Sequence, residues 1–283
     1  MGIAVIPQKI CAQCFKIVAE EAKLIKLADH FEFTEGPAVD SYGNVYFTDQ
    51  PNNQILKWSF DGELEVFLVS SGRSNGLYFD TEDNLYTCSD ALGQLWKIDP
   101  DKNIEVILED FQGKRFNGPN DLWIDPKGGI YFTDPFYQRP YWKHTVPYLS
   151  TNNVYYLSPD RIVSKVATDL DQPNGIIGTS DGSTLYVSDI DRQVTYSYQI
   201  EANGSLNNQK LFVAMGSDGM TNDEFGNVYI TGEGISVFDP DGKKIEHIKI
   251  EEPWTANVTF AGPKRDMLFI TASSAIYTIK MKV

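Results

Sequence analysis

The stretch GNVYFTD, residues 43–49, alternates β-branched and aromatic side chains between a Gly-Asn turn pair and a closing Thr-Asp. It is a half-buried strand by its period of two. The same pattern returns as DNLYTCSD (83–90), GGIYFTD (128–134), STLYVSD (183–189), GNVYITG (226–232) and DMLFITA (266–272). The first apolar residues are Val45, Leu85, Ile130, Leu185, Val228 and Leu268, giving steps of 40, 45, 55, 43 and 40 residues. Units of this length, each with several short strands and turns such as Asp61-Gly62, Asn203-Gly204 and Asp241-Gly242, are the mark of propeller blades. The expected fold is therefore all-β, a six-bladed β-propeller.

The limits of the repeat set the domain organisation. Residues 1–22 read as a lead-in and 23–283 as one propeller domain. A few windows, such as 14–26, suit a helix, but strand and helix do not alternate as a parallel α/β sheet requires. The sixth unit stops at SSAIYTIKMKV, short of an outer strand, while AKLIKLADHF (22–31) precedes the first unit without a blade of its own. Closure of the ring by this N-terminal segment is the expected solution, because it covers an open sheet edge. The longest step carries the insertion PFYQRPYWKHTVPYLSTNN (135–153), rich in proline and aromatics. It reads equally as a functional loop over a site and as a packed surface excursion.

Composition narrows the partners. The chain has 283 residues, 42% hydrophobic, and 39 acidic against 24 basic side chains for a net charge of −15. Without a basic block, neither nucleic acid nor an anionic membrane is expected, and a small molecule or a cation fits better. No apolar run reaches membrane-spanning length. The chain reads as soluble: cytoplasmic as it stands, periplasmic if a signal peptide has been removed, and a monomer or weak homodimer. Cys11 and Cys14 form a C-x-x-C without a second pair or a nearby histidine, an incidental pair in the lead-in. Cys88 reads as a small buried hydrophobe.

The phase of the repeat singles out a ring. Ten residues before the anchors stand Glu35, Asn75, Asn120 and Asp218, and eleven before Leu185 stands Asn174. Only Val258 and Asn257 occupy this place in the sixth unit, so five of six blades aim a hard oxygen ligand at one axis. Such a set suits Ca²⁺ or Mg²⁺ and would not select a soft metal. Asn-Gly and Asp-Gly are also plain turn chemistry. Glu35 is a poor turn former, yet it holds the same phase.

Taken in order, FTEGPAVD, RSNGLYFD, RFNGPNDLWIDPKGGIYFTDP, QPNGIIGTSDGSTLYVSD, SDGMTNDEFGNVYITGEGISVFDPDG and ANVTFAGP resemble the regucalcin/gluconolactonase (senescence marker protein) family, most of all its bacterial gluconolactonases. The resemblance spans residues 23–280. It implies a divalent cation in the central tunnel, with Glu35, Asn174 and Asp218 as ligands and Asn120 as a further ligand or substrate contact. The implied cation is Ca²⁺, with Mg²⁺, Mn²⁺ and Zn²⁺ as alternatives. The implied activity is hydrolysis of a sugar lactone such as glucono-1,5-lactone, the ion polarising the carbonyl and Asp218 acting as general base. In the related diisopropylfluorophosphatase the matching aspartate is discussed as a nucleophile, and both roles stay open. Another lactonase or phosphotriesterase activity, or calcium binding without turnover, are the alternatives. Mammalian members carry an arginine two residues before the position of Asn120; here Gly118 stands there, and Arg115 is the nearest substitute in the chain.

Asn75 is read as pocket wall, and Tyr137 and His144 of the insertion as substrate contacts, since aromatic faces suit the C–H surface of a sugar. Asn117 lies off phase and reads as a turn or supporting residue, and Asp121 as a brace pointing away from the ion. GRSNG (72–76) and GTSDG (178–182) match the G-x-S-x-G elbow, but neither leads from strand to helix.

Overall fold

The computed structural model describes residues 17–282 and places 24 of its 26 strands in six four-stranded antiparallel sheets. Cys11 and Cys14 lie outside the described residues. The expected helical window is not helical where it is described: Val18 bridges Met281, and Ile25–Ala28 is a strand. Within blade 1 the chain runs Thr34–Val39, Val45–Asp49, Gln54–Trp58 and Leu64–Val69, neighbour pairing with neighbour. Blades 2 to 5 repeat this order from Ser74, Leu122, Pro173 and Met220. The sixth sheet contains Thr255–Ala261, Met267–Ala272 and Ala275–Lys280, and its fourth, outermost strand is Ile25–Ala28, with Ile25 opposite Thr278.

The first strands of consecutive blades contact one another in sequence, and that of blade 6 contacts that of blade 1. They therefore line a common axis. A blade's inner strands are covered by neighbouring blades on both faces, so they read as nearly continuous apolar runs. Val45–Asp49 is almost wholly buried, whereas the outer Leu64–Val69 faces solvent. The core is accordingly divided into six clusters, one per interface between neighbouring blades. At the 6–1 interface Val45 and Phe47 meet Phe269 and Ile276, and at the 5–6 interface Tyr229 meets Phe260 edge to face at 5.2 Å.

Candidate active site

The five phased residues lie at the entry of the inner strands, all from the same end of the channel. Glu35, Asn75 and Asn174 belong to first strands, while Asn120 and Asp218 stand two residues before theirs. They are strand or strand-entry residues, not members of isolated turns. In blades 1, 2, 4 and 6 the register between first and second strands slips at this position, between Glu35 and Ala38, Ser74 and Leu77, Pro173 and Ile176, and Thr255 and Asn257. A bulge there re-aims one side chain out of the pleat.

Glycine after the ring residue brings the blades together at the axis. A Cβ on Gly36 would fall 2.1 Å from the carbonyl oxygen of Asn75, and its φ of +47° independently favours glycine. Gly76, Gly175 and Gly219 lean in the same way on Asn120, Asp218 and Asn257 of the next blade. The Thr or Ser closing each second strand fixes the height of these loops. Thr48 donates to the Asn75 carbonyl at 3.1 Å, Asp121 N–H to Thr133 at 3.1 Å, Ser217 N–H to Ser188 at 2.6 Å and Asn257 N–H to Thr271 at 3.0 Å.

The ring is buried and carries more negative charge than its local partners balance. Glu35 Oε2 accepts from its own Gly36 N–H at 2.5 Å and from Asn257 Nδ2 at 3.1 Å. Asp218 Oδ2 accepts from the Trp254 indole N–H at 2.6 Å. Glu35 and Asp218 lie close enough for each to shift the other's titration. Burial, then the charges of Asp218 and Asp121, push the Glu35 carboxyl well above its ordinary value. Burial also raises Asp218, against the pull of Trp254, Asn174 and Arg139. Asp121 is pushed up to about 7, mainly by burial and also by Asp218, with the Leu122 and Ile176 N–H groups opposing. All three carboxyls are pushed toward their protonated forms, and a cation among them would relieve the same repulsion.

Asn174 adds an unpaired oxygen at the same place. Its Nδ2 donates to Tyr137 Oη at 2.8 Å, while its Oδ1 is buried without a hydrogen-bond partner. A buried acceptor left unpaired is costly, of order 1–3 kcal/mol, and an amide oxygen beside carboxylates is a ligand type Ca²⁺ and Mg²⁺ use. Among the described residues no three His, Cys, Asp or Glu side chains cluster as a metal site on their own. The fit therefore depends on the asparagine oxygen joining Glu35 and Asp218. Asn120 is fixed through its backbone, accepting from Gly76 N–H at 2.7 Å and donating to Thr133 O at 2.9 Å, with its side chain buried at the ring. Asn75 is buried beside it.

The other expected residues divide. Tyr137 reaches the ring through Asn174. Arg115 donates to the Ala91 carbonyl and lies 5.3 Å from the Tyr148 ring, and His144 is stacked between Trp142 at 4.7 Å and Tyr148 at 4.4 Å. Burial and then the Arg115 charge hold the His144 imidazole below its usual value. His144 belongs to the insertion and Arg115 packs against it, and among the described residues neither hydrogen-bonds the ring. Asn117 braces the same insertion, accepting from Leu149 N–H at 2.9 Å.

Three residues at the site were not singled out by the repeat. Asn257 completes the ring from blade 6; its offset of eleven residues equals that of Asn174. Trp254 and Arg139 come from loops without repeat phase. Asp121 braces its loop, Oδ1 accepting from Leu122 N–H at 2.9 Å. It is buried in the channel, within the field of Glu35 and Asp218. Beyond Asp121 and Asn257 the channel widens toward the other face into a cavity of about 700 Å³, lined by the later residues of the inner strands, such as Leu77, Ile124 and Phe260. Size alone would put a ligand there, but the unpaired oxygen and buried charge lie at the opposite end.

Comparison with known proteins gives these features a lineage. The family model for the SMP-30/gluconolactonase/LRE-like region matches residues 33–274. A gluconolactonase of Zymomonas mobilis is 29% identical over 286 residues, covering 90% of this chain and 80% of the relative. The diisopropyl-fluorophosphatase of Loligo vulgaris is 25% identical, covering 89% of each chain. A solved Xanthomonas campestris structure, described as a gluconolactonase, superposes with a TM-score of 0.88 at 28% identity, over 94% of this chain and 91% of that one.

Proposed function

The chain belongs to the SMP-30/gluconolactonase/LRE-like family, and from that premise we propose that it hydrolyses a sugar lactone such as glucono-1,5-lactone with a divalent cation in the channel. Glu35, Asn174 and Asp218 would hold the cation, with Asn120 at its edge; Ca²⁺ is the ion of choice, ahead of Mg²⁺, Mn²⁺ and Zn²⁺. The observation that carries the reading is the unpaired Asn174 Oδ1 beside the buried carboxyls of Glu35 and Asp218. When bound, the cation supplies Lewis-acid polarisation of the lactone carbonyl.

Asp218 accepts a proton from the attacking water as the water oxygen bonds to the carbonyl carbon. The ring C–O bond then breaks, and the proton passes to the departing ring oxygen, leaving the open aldonic acid. Burial makes Asp218 a stronger base than an exposed carboxylate, and the Trp254 N–H fixes one of its oxygens so that the other is free to take the proton. Tyr137 accepts from the Asn174 amide, which holds Oδ1 as the free acceptor. The amides of Asn75 and Asn120 cannot act as bases, but they donate hydrogen bonds and so suit substrate oxygens.

The reading is tested by initial rates of glucono-1,5-lactone opening at pH 6–7, corrected for spontaneous hydrolysis. Purified protein with Ca²⁺ should accelerate opening, and Asp218→Asn should lose about 10³-fold or more in kcat. Failure of the wild-type protein to exceed buffer with any of the four cations overturns it.

A further inference from the structure

The internal repeat contains its own control for one aspartate. Second strands in blades 1 to 4 end in Thr-Asp or Ser-Asp, at Asp49, Asp90, Asp134 and Asp189. Three of these do the same structural work, each accepting two backbone N–H groups from the loop that enters its own blade. Asp49 takes Glu32 and Phe33, Asp134 takes Asn117 and Gly118, and Asp189 takes Asp171 and Gln172. Asp90 does not. In blade 2 the entry loop is held by Ser89 Oγ, which donates to the Gly72 carbonyl at 3.1 Å, and by Arg73 N–H, which donates to Asn53 Oδ1 at 2.7 Å.

The carboxylate released from that duty faces the insertion of blade 3. Tyr141 Oη donates to Asp90 Oδ2, and the Arg139 guanidinium stands 3.9 Å from the same oxygen. Asp90 is 3% exposed, whereas Arg139 is 25% exposed. The Arg139 guanidinium lies 5.0 Å from the ring of Tyr137, whose hydroxyl is bonded to Asn174. Its charge is felt at Asp218. Its Nε is the buried atom that faces Asp90, and among the described residues its two Nη groups donate no hydrogen bond. The neighbouring arginines are already engaged: Arg73 donates to the Pro51 carbonyl at 2.5 Å and stacks 4.1 Å from Tyr141, and Arg115 donates to the Ala91 carbonyl. Arg115 Nε is also unpaired, but Arg115 is anchored at Ala91 and Tyr148, whereas Arg139 stands against Tyr137 and within the field of Asp218 with its Nη groups unspent.

We propose that Arg139, held in place by Asp90 and Tyr137, is the residue that binds the hydroxyl groups of the lactone, with Asp90 as its positioning residue. This rests on the lactonase reading above and extends it to substrate choice. The cation site recognises an ester carbonyl, which every lactone presents. The guanidinium adds hydrogen-bond donors for ring hydroxyls, so it favours hydroxylated sugar lactones over plain cyclic esters. It also accounts for the glycine at position 118, where Asp90 and Trp142 fill the space a side chain would need.

The test compares D-glucono-1,5-lactone with δ-valerolactone, which keeps the ring ester but has no hydroxyls. Arg139→Met should raise KM for the sugar lactone roughly tenfold to hundredfold, the factor carried by a charge-assisted hydrogen bond, and leave δ-valerolactone within twofold. Arg139→Lys should recover part of the loss. Asp90→Asn should raise KM for the sugar lactone with kcat little changed, and the double variant should be no worse than Arg139→Met alone. Asp49→Asn, its counterpart in blade 1, should leave KM unaltered. An unchanged Ca²⁺-induced shift in Tm certifies that the variants keep their fold and cation site. Equal losses on both lactones, or no loss on either, overturn the proposal. Should the wild-type protein open no lactone, the lactonase reading falls, and calorimetric binding of D-gluconate with Ca²⁺ present decides this one. Binding by the wild type that weakens at least tenfold in Arg139→Met sustains it; no binding, or equal binding, overturns it.

Discussion

Replacing Trp254 with Phe keeps a ring at the channel mouth and deletes a single donor, the indole N–H that reaches Asp218 Oδ2 at 2.6 Å. Hydrogen bonds to charged groups contribute about 1.5–3 kcal/mol, and one pKa unit corresponds to about 1.36 kcal/mol. The donor favours the ionised carboxylate, so its removal should raise the pKa of Asp218 further. A general base works only when deprotonated. The acidic limb of the pH profile of kcat/KM should therefore move upward, with a loss of about tenfold to hundredfold in rate at pH values below the limb, the equivalent of that hydrogen bond. The assay is glucono-1,5-lactone opening from pH 4.5 to 7.5 at fixed, saturating Ca²⁺, with Tm measured in parallel. A limb that stays in place in a folded variant would refute the assignment of Asp218 as base.

Glu35→Gln removes one of three mutually repelling buried carboxyls; at pH 8 the cation-free variant should melt no lower than the wild type, and it should lose the Ca²⁺-induced rise in Tm. The pH dependence of that rise follows from the same cluster. Asp121 is raised to about 7, and Glu35 and Asp218 are raised as well, so the folded protein retains protons that the unfolded chain releases near pH 4. Their contribution to stability is complete below about pH 4 and is lost as pH rises toward 7. A cation replaces those protons, so scanning calorimetry should find a larger Ca²⁺-induced shift at pH 8 than at pH 5, and the reverse order would contradict the cluster. Gly36→Ala combines a φ of +47° with a Cβ 2.1 Å from the Asn75 carbonyl; a loss of more than about 2 kcal/mol is expected, seen as a Tm lower by about 5 °C or more. Gly62→Ala, at φ +99° but with open space around it, should cost only about 1 kcal/mol, the conformational share.

The propeller was legible because each blade solves the same packing problem. Val45, Leu85, Ile130, Leu185, Val228 and Leu268 are all buried at corresponding places, and burial between neighbouring blades tolerates few side chains there. The ring was legible for a related reason: glycine contacts and Ser/Thr bonds hold Glu35, Asn75, Asn120, Asn174 and Asp218 at one height, so sequence spacing reports position in space. Asn257 stands at the same offset of eleven as Asn174, behind a similar bulge, but Val258 at ten led the sixth blade to be left out of the ring. Trp254 and Arg139 escaped because neither the loop between blades 5 and 6 nor the insertion within blade 3 carries a period; only the length of that insertion, 135–153, marked it. Arg115, the choice made by proximity in sequence, proved to be anchored to Ala91, whereas Arg139 reaches Asp218's surroundings through a fold of the insertion that no spacing encodes. Asp121 was read as a loop brace, and its carboxyl does accept from Leu122 N–H at 2.9 Å; its burial in the channel was not legible. Asp121 precedes the first strand of blade 3 and turns its carboxyl into the channel.

The central claim is that the phased ring holds a cation that lactone opening requires. The direct measurement is the rate of glucono-1,5-lactone opening by chelator-stripped protein as Ca²⁺ is titrated in. The account predicts a rise from background that saturates at one equivalent per chain and is absent in Glu35→Gln. Full activity in stripped protein, or no rise with Ca²⁺, Mg²⁺, Mn²⁺ or Zn²⁺, would contradict it.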